Sequence, residues 1–346
     1  MIQAQTLIGT ALGNVTLQKV LGQGELGVVF LAQQSPAAPQ VAVKILSPAA
    51  TQTSSQRAAF LERFHEEINV ISSLEHQNIL PVFDYGKHDG LAYLVMPYIS
   101  GGTLQHTIEQ KGPLQLAEVV HYLDQMAAAL DYAHGQGVLH LDLKPGNVLL
   151  SADGRLFLTD FGLVKMVAER QTSHMRLLMA GTSAGLLDYT APEQVMGDVV
   201  DAGADLYSLG VMLYQMVTGQ TPFQGTPLQI ATQHVHASPP APRLLREDVP
   251  QAAEQVILQA MAKRPLDRLG SARYLASAFR VALTSAGALS EGSPVGSAGA
   301  GATRAAPLSV PRRRGLFDPV WQNAAQEEGR TPAASEQGIS KATGLL

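Results

Sequence analysis

In the middle of this chain two carboxylates, an amide and an amine stand at fixed spacing. His140-Leu141-Asp142-Leu143-Lys144-Pro145-Gly146-Asn147 is followed, eighteen residues after Asp142, by Asp160-Phe161-Gly162. Side chains of these types can move a terminal phosphoryl group, a reaction that needs an acceptor hydroxyl held in line and positive charge or divalent metal against the phosphate oxygens. Asp142 can orient the hydroxyl and accept its proton. Lys144 can lie against the transferred phosphate. The oxygens of Asn147 and Asp160 suit Mg2+, a hard cation. Apolar segments on either side, Gly137-Val138-Leu139 and Val148-Leu149-Leu150, read as short buried strands that mount the loop rigidly. A solvated surface turn explains any one of these residues but not their joint spacing.

The string resembles the catalytic loop of the eukaryotic-like protein kinases, and Asp160-Phe161-Gly162 resembles their metal-binding motif. That resemblance implies features elsewhere. Gly22-Gln23-Gly24-Glu25-Leu26-Gly27-Val28-Val29 matches the family's Gly-x-Gly-x-x-Gly-x-Val loop over the nucleotide phosphates, where missing side chains let backbone amides approach. A dinucleotide-binding turn would want a helix at the third glycine and an acidic residue about twenty positions on. Here Val28-Val29-Phe30-Leu31 is β-prone and leads to a Pro-containing turn. A strand-turn-strand hairpin over ATP is therefore expected, with Leu21, Gly22, Gln23, Gly24, Glu25 and Gly27 beside the nucleotide.

Alternation in Val41-Ala42-Val43-Lys44-Ile45-Leu46 puts Val41, Val43 and Ile45 on one face and Ala42, Lys44 and Leu46 on the other. This suits a pocket in which Ala42 and Val29 touch adenine and Lys44 reaches the α- and β-phosphates, as the resemblance implies. A helix expected from about Ser55 to Leu74 carries an inward stripe of Phe60, Phe64, Ile68, Ile71 and Leu74. Glu67 shares that apolar face, and a carboxylate there needs a cation. The family pattern supplies Lys44; Glu66 points further toward water. His65 and His76 are expected to be structural.

Leu94-Val95-Met96-Pro97-Tyr98-Ile99 followed by Ser100-Gly101-Gly102-Thr103-Leu104 is similar to the family's strand, hinge and first large-lobe helix. The resemblance implies that backbone from Pro97 to Ile99 bonds the adenine edge, with Met96 behind it and Leu149 as the pocket floor. Ala191-Pro192-Glu193 resembles the end of the activation segment, with Glu193 paired to Arg268. Asp205-Leu206-Tyr207-Ser208-Leu209-Gly210 opens a buried helix ending near Gly219, with Asp205 bonding backbone beneath His140, itself a packing residue.

Two departures bear on regulation and substrate. Leu141 stands where regulated members carry an arginine that pairs with a phosphorylated residue of the activation segment. Activity is thus expected without phosphorylation between Leu163 and Leu187, whatever happens at Thr172, Ser173, Thr182 or Ser183. The family's Gly-Thr pair falls by position on Gly185-Leu186, while an actual pair occurs at Gly181-Thr182, which fits only with about four inserted residues.

Apolar residues make up 46% of the 346-residue chain and charged residues 15%, which allows large cores under a lightly charged surface. A net charge of -5 offers no footprint for nucleic acid. No cysteine is present, which excludes disulfides and cysteine-based zinc sites and suits the cytoplasm. No signal-peptide pattern or membrane-length apolar run occurs. From about Leu12 to Leu283 the chain looks most like bacterial eukaryotic-like serine/threonine protein kinases. The expected fold is α+β and two-lobed: an amino-terminal extension at 1–14, a small mainly β lobe with one key helix at 15–97, a larger mainly α lobe at 98–283, and a disordered Ala/Gly/Ser/Pro-rich tail at 284–346. Many bacterial relatives continue into a membrane span and sensor, so the chain reads as either a soluble form or a fragment. Arg312-Arg313-Arg314 in the tail is expected to be solvated.

The resemblance further implies ATP, Mg2+ or alternatively Mn2+, protein substrates with Ser/Thr acceptors, and a homodimer for autophosphorylation. Lys144 favours serine or threonine over tyrosine. A small-molecule phosphotransferase shares His-x-Asp-x-x-x-x-Asn but is not expected to keep Lys144, Ala191-Pro192-Glu193 and the Asp205 motif. A pseudokinase scaffold usually loses one of Lys44, Glu67, Asp142, Asn147 or Asp160, all present here.

Overall fold

Six antiparallel strands build the amino-terminal lobe in the order β1-β2-β3-β4-β6-β5: β1 (Ala11–Leu12), β2 (Val15–Gly24), β3 (Gly27–Gln33), β4 (Val41–Leu46), β5 (Asp84–His88) and β6 (Leu91–Pro97). The computed structural model describes residues 4–24, 27–46, 54–163 and 187–289. Glu25, Thr172, Ser173, Thr182, Ser183, Leu186 and the tail from 290 onward lie outside them.

The glycine-rich segment is the expected hairpin, with Gly24 opposite Gly27. Gly27 is forced: a Cβ there would lie 2.0 Å from the Ile45 carbonyl oxygen. Around Gly22 and Gly24 a Cβ would meet nothing within 4 Å, so those glycines leave open space above the cleft. Strand β4 divides its faces as its alternation dictates. Val41, Val43 and Ile45 join the outer cluster with Phe30 and Tyr93, while Ala42 and Leu46 face the inner cluster with Phe60, Phe64 and Ile68. Leu12 is buried in that outer cluster with Leu7 packed against it, so the segment before residue 15 joins the same sheet.

Helix α1 (Ser54–Ile71) supplies the inner cluster with its Phe60, Phe64, Ile68 and Ile71 stripe. It stops at Ile71; Leu74 follows in a turn and packs into the large-lobe core. The larger lobe holds α2 (Leu104–Lys111), α3 (Leu116–Gly135), a two-stranded sheet of β7 (Val148–Leu150) and β8 (Leu156–Leu158), α4 (Pro192–Met196), α5 (Ala202–Thr218), α6 (Pro227–His236), α7 (Gln251–Ala260) and α8 (Ala272–Ser285). Helix α5 is buried along its length and ends at Gly219 in the left-handed conformation, φ 83°. Among the described residues no helix is long and apolar enough to cross a membrane.

One expected strand does not form. Gly137-Val138-Leu139 has no strand partner, because the Val138 N–H bonds back to Ala133 at the end of α3 and the following amides, His140 and Leu141, donate to a side chain. The catalytic-loop string is mounted by capping bonds on that side and by β7 on the other.

Candidate active site

The polar residues of the string meet through a continuous set of hydrogen bonds. Lys144 Nζ lies 2.9 Å from the Asp142 carboxylate. Asn147 Nδ2 donates to Asp142 Oδ2 at 2.9 Å and to the Asp142 carbonyl at 2.8 Å. The Asn147 carbonyl in turn accepts the Thr159 N–H at 3.1 Å, and the His140 carbonyl accepts the Gly162 N–H at 3.2 Å. Loop and Asp160-Phe161-Gly162 are thus zipped together, with the His140 and Phe161 ring centroids 4.5 Å apart.

Leu141, φ 64°, and Asp160, φ 69°, are two of three non-glycine residues with positive φ among those described. Left-handed backbone costs such residues roughly 1–2 kcal/mol, and the surroundings hold both. Asp205, fully buried on α5, takes the His140 and Leu141 N–H groups at 2.8 Å each and His134 Nε2 at 2.8 Å. Burial, the largest single influence, opposes its ionisation. The hydrogen bond from His134, the neighbouring histidines and the His140 amide outweigh it and carry Asp205 below the usual carboxylate range. His140 is itself fully buried; desolvation lowers its pKa in spite of Asp205, Asp142 and Asp160 nearby. It packs against Phe161, the packing place the family resemblance implied.

From the small lobe, Lys44 Nζ reaches Asp160 Oδ2 at 2.6 Å. The expected pair with Glu67 is not formed in this structure. Among the described residues Asp160 is the carboxylate within 4 Å of that ammonium, and Glu67 stays half-buried on α1. Lys44 makes its close ion pair across the cleft with Asp160 rather than with α1. Val29, Ala42, Met96, Ile99 and Leu149 do converge, all belonging to or bordering one apolar cluster. Gly22, Gln23 and Gly24 are exposed above them, as is Leu21, 38% exposed. Glu25 lies outside the described residues. His76 is structural: its Nδ1 accepts the Asn78 N–H at 3.1 Å and its ring stacks on Tyr132.

Beneath the loop, Arg268 forks onto Glu193, Nη1 to Oε1 at 2.6 Å and Nη2 to Oε2 at 2.8 Å, both residues buried. Sequence reasoning missed three contacts around it. Gln194 Nε2 donates to the Leu141 carbonyl at 3.0 Å, His134 meets Asp205, and the Tyr189 hydroxyl donates to Gln215 Oε1 at 2.6 Å. Each joins elements far apart in the chain, and none has a local spacing that marks it.

A family model described as protein kinase domain matches residues 15–280. Relatives include serine/threonine-protein kinase PrkC of Bacillus subtilis, 32% identical over 80% of this chain and 42% of that protein. Serine/threonine-protein kinase PknH of Mycobacterium tuberculosis is 34% identical over 80% of this chain and 43% of its own length. Serine/threonine-protein kinase PknD of the same organism is 36% identical over 82% and 42%. The chain therefore spans less than half the length of these relatives.

Proposed function

The chain belongs to the protein kinase domain family, and on that premise we propose that it transfers the γ-phosphoryl group of ATP to serine or threonine hydroxyls of proteins. The observation that carries this reading is the single hydrogen-bonded set running from Lys144 through Asp142 to Asn147, with Asp160 and Lys44 beside it. Asp142 accepts the proton of the attacking hydroxyl, and its orientation is fixed by Lys144 and Asn147. Lys144 then offsets charge on the phosphoryl group in flight.

The donor set fits a Mg2+ or Mn2+ ion brought with the nucleotide. Asn147 commits its side-chain nitrogen to Asp142, which leaves its side-chain Oδ1 as the atom for a hard cation; Asp160 supplies a carboxylate. Among the described residues no three His, Cys, Asp or Glu side chains gather as a metal cage, so nucleotide phosphates and water must complete such an ion's shell. The ion, when bound, neutralises phosphate charge. Lys44 exchanges Asp160 for the α- and β-phosphates. Val29, Ala42, Met96, Ile99 and Leu149 enclose adenine, and the hairpin from Leu21 to Gly27, Gln23 and Glu25 included, covers the phosphates.

Leu141 in place of a cation supports activity that does not wait for activation-segment phosphorylation. Protein substrates with Ser/Thr acceptors, and a second copy in autophosphorylation, are the partners of this reading. The test is incubation with ATP, Mg2+ and a Ser/Thr-rich protein, with the phosphorylated residues mapped. Phosphoserine or phosphothreonine is expected. Thermal stabilisation by ATP without transfer would instead favour a nucleotide-binding scaffold or a small-molecule phosphotransferase.

A further inference from the structure

Leu141 immediately precedes Asp142, and its left-handed backbone is held from both sides. Its N–H donates to Asp205 Oδ1 at 2.8 Å and its carbonyl accepts from Gln194 Nε2 at 3.0 Å. Gln194 is 4% exposed and cannot turn over, because its Oε1 already accepts the Ala191 N–H at 3.0 Å. The same short helix, α4, carries Glu193, whose fork to Arg268 ties it to the lobe. A path of fixed groups therefore runs from Arg268 through Glu193 and Gln194 to the peptide joining Leu141 to Asp142.

We infer that Gln194 is a positioning residue for Asp142. The carbonyl it binds belongs to the same peptide plane as the Asp142 nitrogen. Holding that plane fixes where the Asp142 backbone starts, and so where its carboxylate can point. A cation at position 141 would tether the loop through a phosphate on the activation segment. In this chain the tether is made by the backbone of Leu141 and a neutral amide, and needs no phosphate. The inference rests on Asp142 being the base, as proposed above.

The test uses the full chain and five proteins: parent, Asp142→Asn, Leu141→Gly, Gln194→Met, and Gln194→Met combined with Leu141→Gly. Gln194→Met keeps the volume and removes the donor. It should lower kcat by about tenfold, equivalent to about 1.4 kcal/mol, with KM for ATP within about twofold of the parent. Glycine adopts φ near +64° without strain, so in the Leu141→Gly background, relative to Leu141→Gly alone, losing Gln194 should cost only about twofold in kcat. A glutamine that merely stabilises α4 would cost the same in both backgrounds, and that result overturns the inference, as does an unchanged kcat in Gln194→Met. If Gln194→Met does not fold, Gln194→Asn, too short to span from Ala191 to Leu141, is compared in the same two backgrounds and read the same way. Transfer that persists in Asp142→Asn would instead defeat the reading of the base, a distinct outcome from an active Gln194→Met beside an inactive Asp142→Asn.

Discussion

Lys44 on β4 and Asp160 in the large lobe are joined across the cleft at 2.6 Å, and both side chains are about nine-tenths buried. The contact joins the cation proposed to bind phosphate in one lobe to the carboxylate proposed to hold metal in the other. Each is held where the nucleotide must displace it.

Lys44→Met should therefore abolish a contact made to the reacting nucleotide without dismantling the lobes. Loss of one such electrostatic partner costs about 10²–10³-fold in turnover. The variant's kcat/KM for ATP, measured beside its melting curve, is expected to fall in that range while the chain stays folded. A variant within about threefold of the parent would contradict the role given to Lys44.

The Glu193–Arg268 fork predicts a stability effect of another size. Both side chains are buried, so Arg268→Met leaves a carboxylate without its cation, which typically costs about 3–5 kcal/mol. Denaturant unfolding should show that loss, and Glu193→Gln with Arg268→Met together should lose less than the sum of the two single changes. Simple additivity would count against direct coupling.

Two buried histidines are expected to contribute to the acid limb of stability. Burial lowers the pKa of His140, and burial together with Lys263 lowers His234 to about 3 from the ordinary 6.5. Below pH 6.5 the unfolded chain binds protons that the folded chain refuses. Stability is thus complete above that pH and declines as pH falls toward the folded values, by up to about 1.4 kcal/mol per pH unit for each histidine. Unfolding measured at about pH 7 and about pH 5 should show the decline, and His234→Asn should flatten it. An equal slope in the variant would exclude His234 as a source.

Much of this was legible in sequence because short motifs carry it. The hairpin at Gly22 to Gly27, the split faces of β4 and the α1 stripe follow local periodicity or fixed spacing, while the Glu193–Arg268 pair and the seat of Asp205 under His140 are what the family resemblance implied. Three features were not legible. Glu67 sits on the apolar face its spacing demands, yet which carboxylate Lys44 chooses depends on how the lobes meet, a distance no periodicity encodes. Gly137-Val138-Leu139 is as apolar as a strand, but strands need partners, and the Val138 amide is claimed by Ala133 and those of His140 and Leu141 by Asp205. Gln194 looks like any polar helical residue until α4 is laid against the catalytic loop.

Leu141 gives a prediction about regulation. Replacing Thr172, Ser173, Thr182 and Ser183 together by alanine should leave the rate of transfer nearly unchanged, because no cation at position 141 awaits a phosphate. A loss of about tenfold or more, about 1.4 kcal/mol, would contradict phosphorylation-independent activity.

The most direct measurement is single-turnover phosphate transfer from ATP and Mg2+ to a serine- or threonine-containing protein, comparing the parent with Asp142→Asn. Asparagine keeps the shape, but its amide turns one of the two acceptor atoms facing Lys144 and Asn147 into a donor and cannot take a proton. Transfer by the parent, reduced by about 10²-fold or more in Asp142→Asn with ATP affinity retained, is the expected result. Equal transfer by both proteins, or none by the parent despite bound ATP, would contradict the account.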